Sequence, residues 1–479
     1  MQTHKFKWKL FDIEYSSVKI WELEGEMRID SEYYDKYYLD IQNKVIRKNY
    51  DYLKNLASNK YQNYKPNWEF FEYIEISWVN TQTWTFQSET LETKNQPLRA
   101  KKTVNKNDIL ISTVRPNRGG VTFINDEKTN IVASTWFCKL STNKLNPKYL
   151  YILFRTNIYR DLLVRNTTAT MYPAVSEDDI LNFTIPIPSK SFQKKIESLV
   201  IESYKQNELA EKLYKEAETL LLTELNLLNY QTKTKKIKFD WNYEIDAKEN
   251  HSITNYSILK ELDRFDAEYW DYSYFEIVEK IKNYRWWFDK LSNLIKISKK
   301  KIILDEEKLY NYIELADINK SNWMVENITE ILWKELPSRA RMKIEKWSVL
   351  FSSLEWSIDK VAIIDSELQD LVASTWFFIF KENILNKETL LVLLKIFWQN
   401  YIAREALWTI MSAISNTWIE RILLPKIDLE IQKIVTERIQ KSFESKTKSK
   451  KLLEVAKKAV EIYIEEDEKI GLKFIEDNL

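Results

Sequence analysis

The sequence predicts an α+β fold built from two tandem copies of one unit, each closing in a long helix. Three observations carry this expectation. The hexamer Val-Ala-Ser-Thr-Trp-Phe stands at Val132–Phe137 and again at Val372–Phe377, 240 positions on. Other matches keep nearly the same offset, among them Tyr73-Ile-Glu-Ile with Tyr312-Ile-Glu-Leu and Pro97-Leu-Arg-Ala-Lys with Pro337-Ser-Arg-Ala-Arg. Finally, each copy ends in a proline-bearing segment followed by apolar residues at alternating four- and three-residue steps, the spacing of one helix face.

Taken in chain order, the first part of each copy, up to about Asn130 and Asp370, is rich in short β-branched and apolar runs bounded by polar turns. Asp108–Val114 and Val349–Leu354 are examples, and the region reads as mixed and mostly β. Short helices follow around Pro147–Leu163 and Lys387–Ala406. Asn146 matches Asn386, Met171 matches Met411, and Gln193 matches Gln432. Ile185-Pro-Ile-Pro188 and Leu423-Leu-Pro425 then lead to Ser189 and Asp428, good helix N-caps.

The first long helix is expected to carry its seam on Phe192, Ile196, Leu199, Ser203, Gln206, Ala210, Leu213, Ala217, Leu220, Glu224 and Leu227. The second carries Ile431, Val435, Ile439 and Phe443, weakens through the Lys/Ser run Lys441–Lys451, and resumes at Leu452, Ala456, Ala459 and Tyr463. A helix of about 40 residues reaches roughly 60 Å, more than a domain of this size can cover, so the two seams are expected to meet. Gln231–Lys238 reads as a basic linker.

Composition narrows the function. A chain of 479 residues exceeds the length of about 250–300 at which one core stops growing. No stretch reads as a membrane span and the first residues lack an apolar signal core, so the expectation is a cytoplasmic protein. One cysteine, Cys138, excludes an internal disulfide framework and reads as a buried inert thiol, and two histidines exclude a multi-histidine metal site. Four glycines leave no glycine-rich phosphate loop, and no Asn-Pro-Pro-aromatic motif for base methylation is present.

The net charge is only +1, so affinity for a polyanion must come from local patches. One runs from Lys94 to Gly120, where seven positive residues face a single Asp108, a local +6. Its counterpart, Lys334 to Lys360, has six against four, a local +2. Arginine and lysine on loops neutralise phosphates, and arginine reads guanine edges, which suits duplex DNA. The candidate DNA-facing residues are Arg99, Lys101, Lys102, Arg115, Arg118, Arg339, Arg341 and Lys343. Because Glu355 stands opposite Arg115, the two copies are not interchangeable and an exact palindrome is not expected.

Taken together, Arg264-Phe-Asp-Ala-Glu-Tyr269, Lys106-Asn-Asp-Ile-Leu-Ile-Ser-Thr-Val-Arg-Pro116, the hexamer, and Ile185–Pro188 with Gln193 before a long helix resemble the specificity subunit of type I restriction-modification systems. The resemblance covers nearly the whole chain. It implies two target-recognition domains, residues 1–185 and 236–424, each reading half of a split sequence in double-stranded DNA. Residues 186–235 and 425–479 would supply spacer helices in an antiparallel coiled coil. Such a subunit recognises without catalysing, and docks DNA methyltransferase (modification) subunits, expected as two, and a restriction/translocase subunit. Those partners would bring S-adenosylmethionine, ATP and magnesium, leaving this chain with no cofactor, no metal and no membrane contact. Two other readings are a detached recognition half of a single-chain restriction-methylation enzyme and a coiled-coil protein scaffold with no DNA role.

The resemblance also bears on the 18 tryptophans. Such proteins commonly have glycine at the positions of Trp136, Trp347, Trp356 and Trp376. Average usage would give about 33 glycines. The expectation is that many of these tryptophans are glycines in the natural protein, from an organism that reads UGA as glycine.

Overall fold

A computed structural model describes residues 2–8, 11–19, 29–64, 68–80, 85–168, 172–228, 236–238, 244–246, 272–302, 305, 307–319, 323–325, 328–403 and 412–479. Arg264–Tyr269, Met171, Met411 and residues 231–235 of the linker lie outside them. The chain forms two compact units, Met1–Asn207 with Thr447–Leu479, and Glu208–Lys446. The division cuts across both long helices, so each unit owns one part of each. The C-terminal residues therefore complete the first unit and not the second.

In the first unit the strands of the two larger sheets are β1 (Phe70–Ile74), β2 (Glu89–Glu92), β3 (Ala100–Val104), β4 (Ile109–Ser112), β5 (Val121–Phe123), β6 (Ile131–Ser134) and β7 (Phe137–Leu140). Four form one sheet in the order β2-β1-β6-β3, and three form another in the order β7-β4-β5. Within the first sheet β1 and β6 run parallel, with Tyr73 opposite Val132. All four residues of β4 are buried, which explains its unbroken apolar run in place of an alternating one.

The second unit repeats the plan. The strands of its two larger sheets are β8 (Lys296–Ser298), β9 (Leu309–Ile313), β10 (Thr329–Leu332), β11 (Ala340–Lys343), β12 (Val349–Ser352), β13 (Val361–Ile363), β14 (Leu371–Ser374) and β15 (Phe377–Lys381). The sheets have the orders β10-β9-β14-β11 and β8-β15-β12-β13. The parallel pair recurs between β9 and β14, with Tyr312 opposite Val372.

The repeated hexamer has a structural reason. In each unit its Val-Ala-Ser ends a strand of one sheet, Thr-Trp makes a two-residue turn, and Phe opens a strand of the other sheet. Val132, Ala133, Val372 and Ala373 are fully buried, so the corner that joins the two sheets tolerates little change of volume.

Helices α1 (Pro147–Arg155) and α3 (Lys387–Phe397) follow the sheets. Asn146 caps α1 by accepting from the N–H groups of Lys148 and Tyr149, with Pro147 where a helix needs no donor. Asn386 caps α3 through Thr389.

The matched glutamines explain why they match. Gln193 Oε1 accepts from the Asn146 N–H at 3.0 Å, and its Nε2 donates to the Pro188 carbonyl at 3.0 Å. Gln432 accepts from the Asn386 N–H at 2.9 Å and donates to the Ile427 carbonyl at 2.9 Å. Each glutamine thus pins the start of a long helix to the cap of the short one.

Those long helices are α2 (Lys190–Glu224) and α4 (Leu429–Glu465), of 35 and 37 residues. Inside the first unit, Phe192, Ile196, Leu199 and Val200 pack with Leu452, Ala456, Ala459 and Tyr463. There Ser203 Oγ donates to the Ser449 carbonyl at 3.0 Å. Inside the second unit, Ser442 Oγ donates to the Ala210 carbonyl at 2.7 Å, and Arg438 donates to the Glu216 carbonyl at 3.2 Å. Within each unit the two helices lie side by side and run in opposite directions.

Two details of the expected seams are corrected. Beyond Ala210 the buried residues include Ala217 and Leu227, as expected, but also Tyr214, Leu221 and Leu225, each one position on from Leu213, Leu220 and Glu224. An α-helix turns at 3.6 residues, so its buried face drifts off a strict seven-residue repeat. The Lys/Ser run does not interrupt the second seam either, because Ser442, Ser445 and Ser449 are buried there. Small side chains of this kind let helix backbones approach closely. Gly471, in the C-terminal helix Glu468–Asn478, serves a similar approach: a Cβ there would meet the Ala459 carbonyl at 2.9 Å.

Candidate nucleic-acid interface

The predicted cations lie on two segments, and the hexamer turn holds both. In the first unit Pro97–Ala100 closes a tight turn, with the Ala100 N–H donating to the Pro97 carbonyl at 2.9 Å. Arg99 is exposed at this turn. Its carbonyl accepts from the Thr135 N–H at 2.9 Å, while the Trp136 carbonyl accepts from the Thr113 N–H at 2.9 Å. One turn thereby joins the Arg99 segment to the loop that carries Arg115 and Arg118.

The second unit repeats these bonds. The Ala340 N–H donates to Pro337 O at 2.8 Å, Thr375 to Arg339 O at 2.9 Å, and Ser353 to Trp376 O at 2.8 Å. Arg339 is exposed, like Arg99.

Just past each turn the pairing slips by one residue, between Ala100 and Lys102 and again between Ala340 and Met342. The residues left over are Lys101 and Arg341, both exposed. A bulge of this kind re-aims a side chain and is a recurrent device beside functional sites. Both strands thus offer a cation at the same irregularity.

Lys102 departs from expectation. It is 1% exposed, its Nζ donates to the Phe137 carbonyl at 2.6 Å, and it pairs with Glu177. A charge committed in this way is not offered to a phosphate, so Lys102 is removed from the candidate surface. The sequence held the signal: Ala100, Lys102 and Val104 are the inward alternates of one strand, with Lys101 and Thr103 between them. Met342 stands at the equivalent place in the second unit.

Arg115 sits in the left-handed backbone region, φ 50°, and its N–H donates to the Pro173 carbonyl at 2.8 Å. Its guanidinium lies 5.2 Å from the ring of Tyr172, which is 64% exposed. Arg118 is exposed at the end of the same loop. Arg155 on α1 steadies the loop's base, donating to the Gly119 carbonyl at 2.8 Å and to the Val121 carbonyl at 3.3 Å. The second unit has Glu355 and the buried Ile358 in place of these two arginines, so its loop has no counterpart to this basic surface.

Arg339 is partly engaged. Its guanidinium pairs with Glu314 at 3.2 Å, and the neighbouring Tyr312 hydroxyl together with Glu314 raises its pKa above the ordinary arginine value. Arg341 Nε donates to the Ser338 carbonyl at 3.0 Å. Lys343 is exposed on β11.

Beside Arg99 a cleft of about 430 Å³ is lined by Tyr73, Glu75, Trp78, Glu89, Pro97 and Arg99. Two carboxylates in its wall make it a poor seat for a phosphate, since like charges repel. The exposed cations outside it are better suited to that role. Tyr172, Tyr312 and Glu314, which touch the predicted arginines, have no sequence signal of their own; only the fold brings them there.

Residues 38–219 match the family model described as "Type I restriction modification DNA specificity domain". Over this stretch the chain is similar to that family. The matched stretch contains the hexamer turn, the first unit's cation segments and most of α2. Over 148 residues the chain is 27% identical to the Type I restriction enzyme HindI specificity subunit of Haemophilus influenzae, a stretch covering 29% of this chain and 32% of that relative. The match thus spans about a third of the relative's length.

Among solved structures, the HsdS subunit from Thermoanaerobacter tengcongensis is 16% identical at a TM-score of 0.32, covering 87% of this chain and 96% of that one. The type I restriction-modification S subunit from M. genitalium is 13% identical at a TM-score of 0.38, covering 89% and 94%. Among the described residues no helix is long and apolar enough to cross a membrane.

Proposed function

We propose that the chain is a non-catalytic specificity subunit that binds a bipartite site in double-stranded DNA, one half per unit. The observation that carries this reading is the duplicated display of cations. Arg99 and Lys101 in one unit, and Arg339 and Arg341 in the other, leave the same turn and the same bulge. Arg115, Arg118 and Lys343 extend the proposed contact surface. A ligand that meets two equivalent surfaces on one chain needs a repeat of its own, and duplex DNA supplies one with a fixed rise.

In this proposal residues 1–185 and 236–424 are the recognition domains, and α2 with α4 form an antiparallel coiled coil that fixes the gap between half-sites. The coiled coil also docks two methyltransferase subunits, with a restriction/translocase subunit joining them. The unequal loops, Arg115 against Glu355, make the two half-sites different.

The test is selection from a random duplex library with the full chain and its methyltransferase partner. The expected result is two short motifs at one fixed spacing, bound with an affinity that falls steeply with salt. Enrichment of a single undivided motif, or of none, refutes the reading.

A further inference from the structure

Seven non-glycine residues among those described lie at positive φ: Asn107, Arg115, Asn226, Trp287, Trp323, Trp347 and Asp370. Asparagine and aspartate visit this region with a small penalty, whereas a bulky side chain there is an outlier. Tryptophan is 18 of 479 residues, yet three of these seven. Chance placement does not produce that share.

Trp347 is the clearest case. Its φ is 66°, and its N–H donates to the Ile364 carbonyl at 2.8 Å in the turn that enters β12. The equivalent residue of the first unit is Asn107, with φ 70° and its N–H on the Ile124 carbonyl at 2.8 Å. The backbone therefore demands the left-handed region at this turn in both units. Meanwhile the Trp347 indole is 44% exposed, so little burial offsets the strain.

Trp287 has φ 127°, a region open in practice to glycine alone, and is 66% exposed. Trp323, at φ 55°, is buried, but its Nε1 has no hydrogen-bond partner and its ring centroid lies only 3.4 Å from that of Tyr214. Ring pairs ordinarily keep about 4.5–7 Å. Each of the three misfits its place as tryptophan and suits it as glycine.

We infer that positions 287, 323 and 347 are glycine in the natural protein, encoded by UGA in an organism that reads that codon as glycine. The backbone selects these three from the wider set expected from the sequence. Trp136, Trp356 and Trp376 do not lie at positive φ. The inference is independent of DNA binding. It does change the surface, since two exposed indoles disappear from the second unit.

Two measurements test it. Peptide mass spectrometry of the protein isolated from its source cells is expected to return the mass of glycine at 287, 323 and 347; the mass of tryptophan at these positions overturns the inference. In the recombinant full-length chain, Trp347→Gly and Trp287→Gly are each expected to raise the Tm by about 2–4 °C. Trp347→Ala, which removes the indole but keeps the β-carbon, is expected to gain less. A fall in Tm for both glycine variants, or an alanine variant equal to glycine, shows that backbone strain is not what marks these sites and overturns it too.

Discussion

Replacing Gln193 by methionine keeps the volume of the side chain and deletes both of its hydrogen bonds. Gln193 is 8% exposed, so the Asn146 N–H and the Pro188 carbonyl lose their partners where water does not easily replace them. A buried polar group left unmade costs about 1–3 kcal/mol, and two of them, less the gain from a more apolar side chain, give about 2–4 kcal/mol. In a unit of this size that corresponds to a Tm lower by about 5–12 °C. Gln432→Met repeats the loss at a residue 3% exposed.

Differential scanning calorimetry on the full chain reads both variants. Gln193→Met is expected to lower the transition of one unit and Gln432→Met that of the other, because each glutamine anchors its own long helix. Under the proposed function the same variants are expected to broaden the spacing accepted between half-sites, since a unit loosened on its helix would no longer hold one distance. A change below about 0.5 kcal/mol in both refutes the reasoning: the backbone groups would then have found water or each other.

Three further outcomes follow from other contacts. Asp108 and Lys139 pair at 3.2 Å with side chains 5% and 6% exposed, so Asp108→Asn leaves a buried ammonium without its counter-charge and is expected to cost about 3–5 kcal/mol in denaturant unfolding. Lys101→Ala is expected to reduce the slope of log affinity against log salt by about 1, whereas Lys102→Met leaves that slope unchanged, as measured by fluorescence anisotropy on one duplex. Cys138 is buried, and burial pushes its thiol pKa up. The neutral thiol is thus favoured in the folded state: its contribution is present below the free value of about 8.5 and is lost as pH rises above it, where the unfolded chain ionises first. Cys138→Ala is expected to flatten that alkaline loss, and the native thiol is expected to resist alkylation until the first unit unfolds.

The sequence by itself determined the duplication, its offset, the order of elements and the two long helices. These are recorded in local patterns, a repeated hexamer, caps at Asn146 and Asn386, and apolar spacing after a proline segment, and such patterns survive without knowledge of the fold. It also marked Arg99, Lys101, Arg339 and Arg341, because a cluster of charge is visible in one dimension. The tertiary structure decided which of two adjacent lysines faces water, since Lys101 and Lys102 differ only in which side of a strand they occupy and what Glu177 can reach. It likewise decided the drift of the helix seam, the use of buried serines between α2 and α4, and the left-handed backbone beneath Trp287, Trp323 and Trp347. Each of these depends on neighbours far away in the chain, and close packing makes those neighbours decisive.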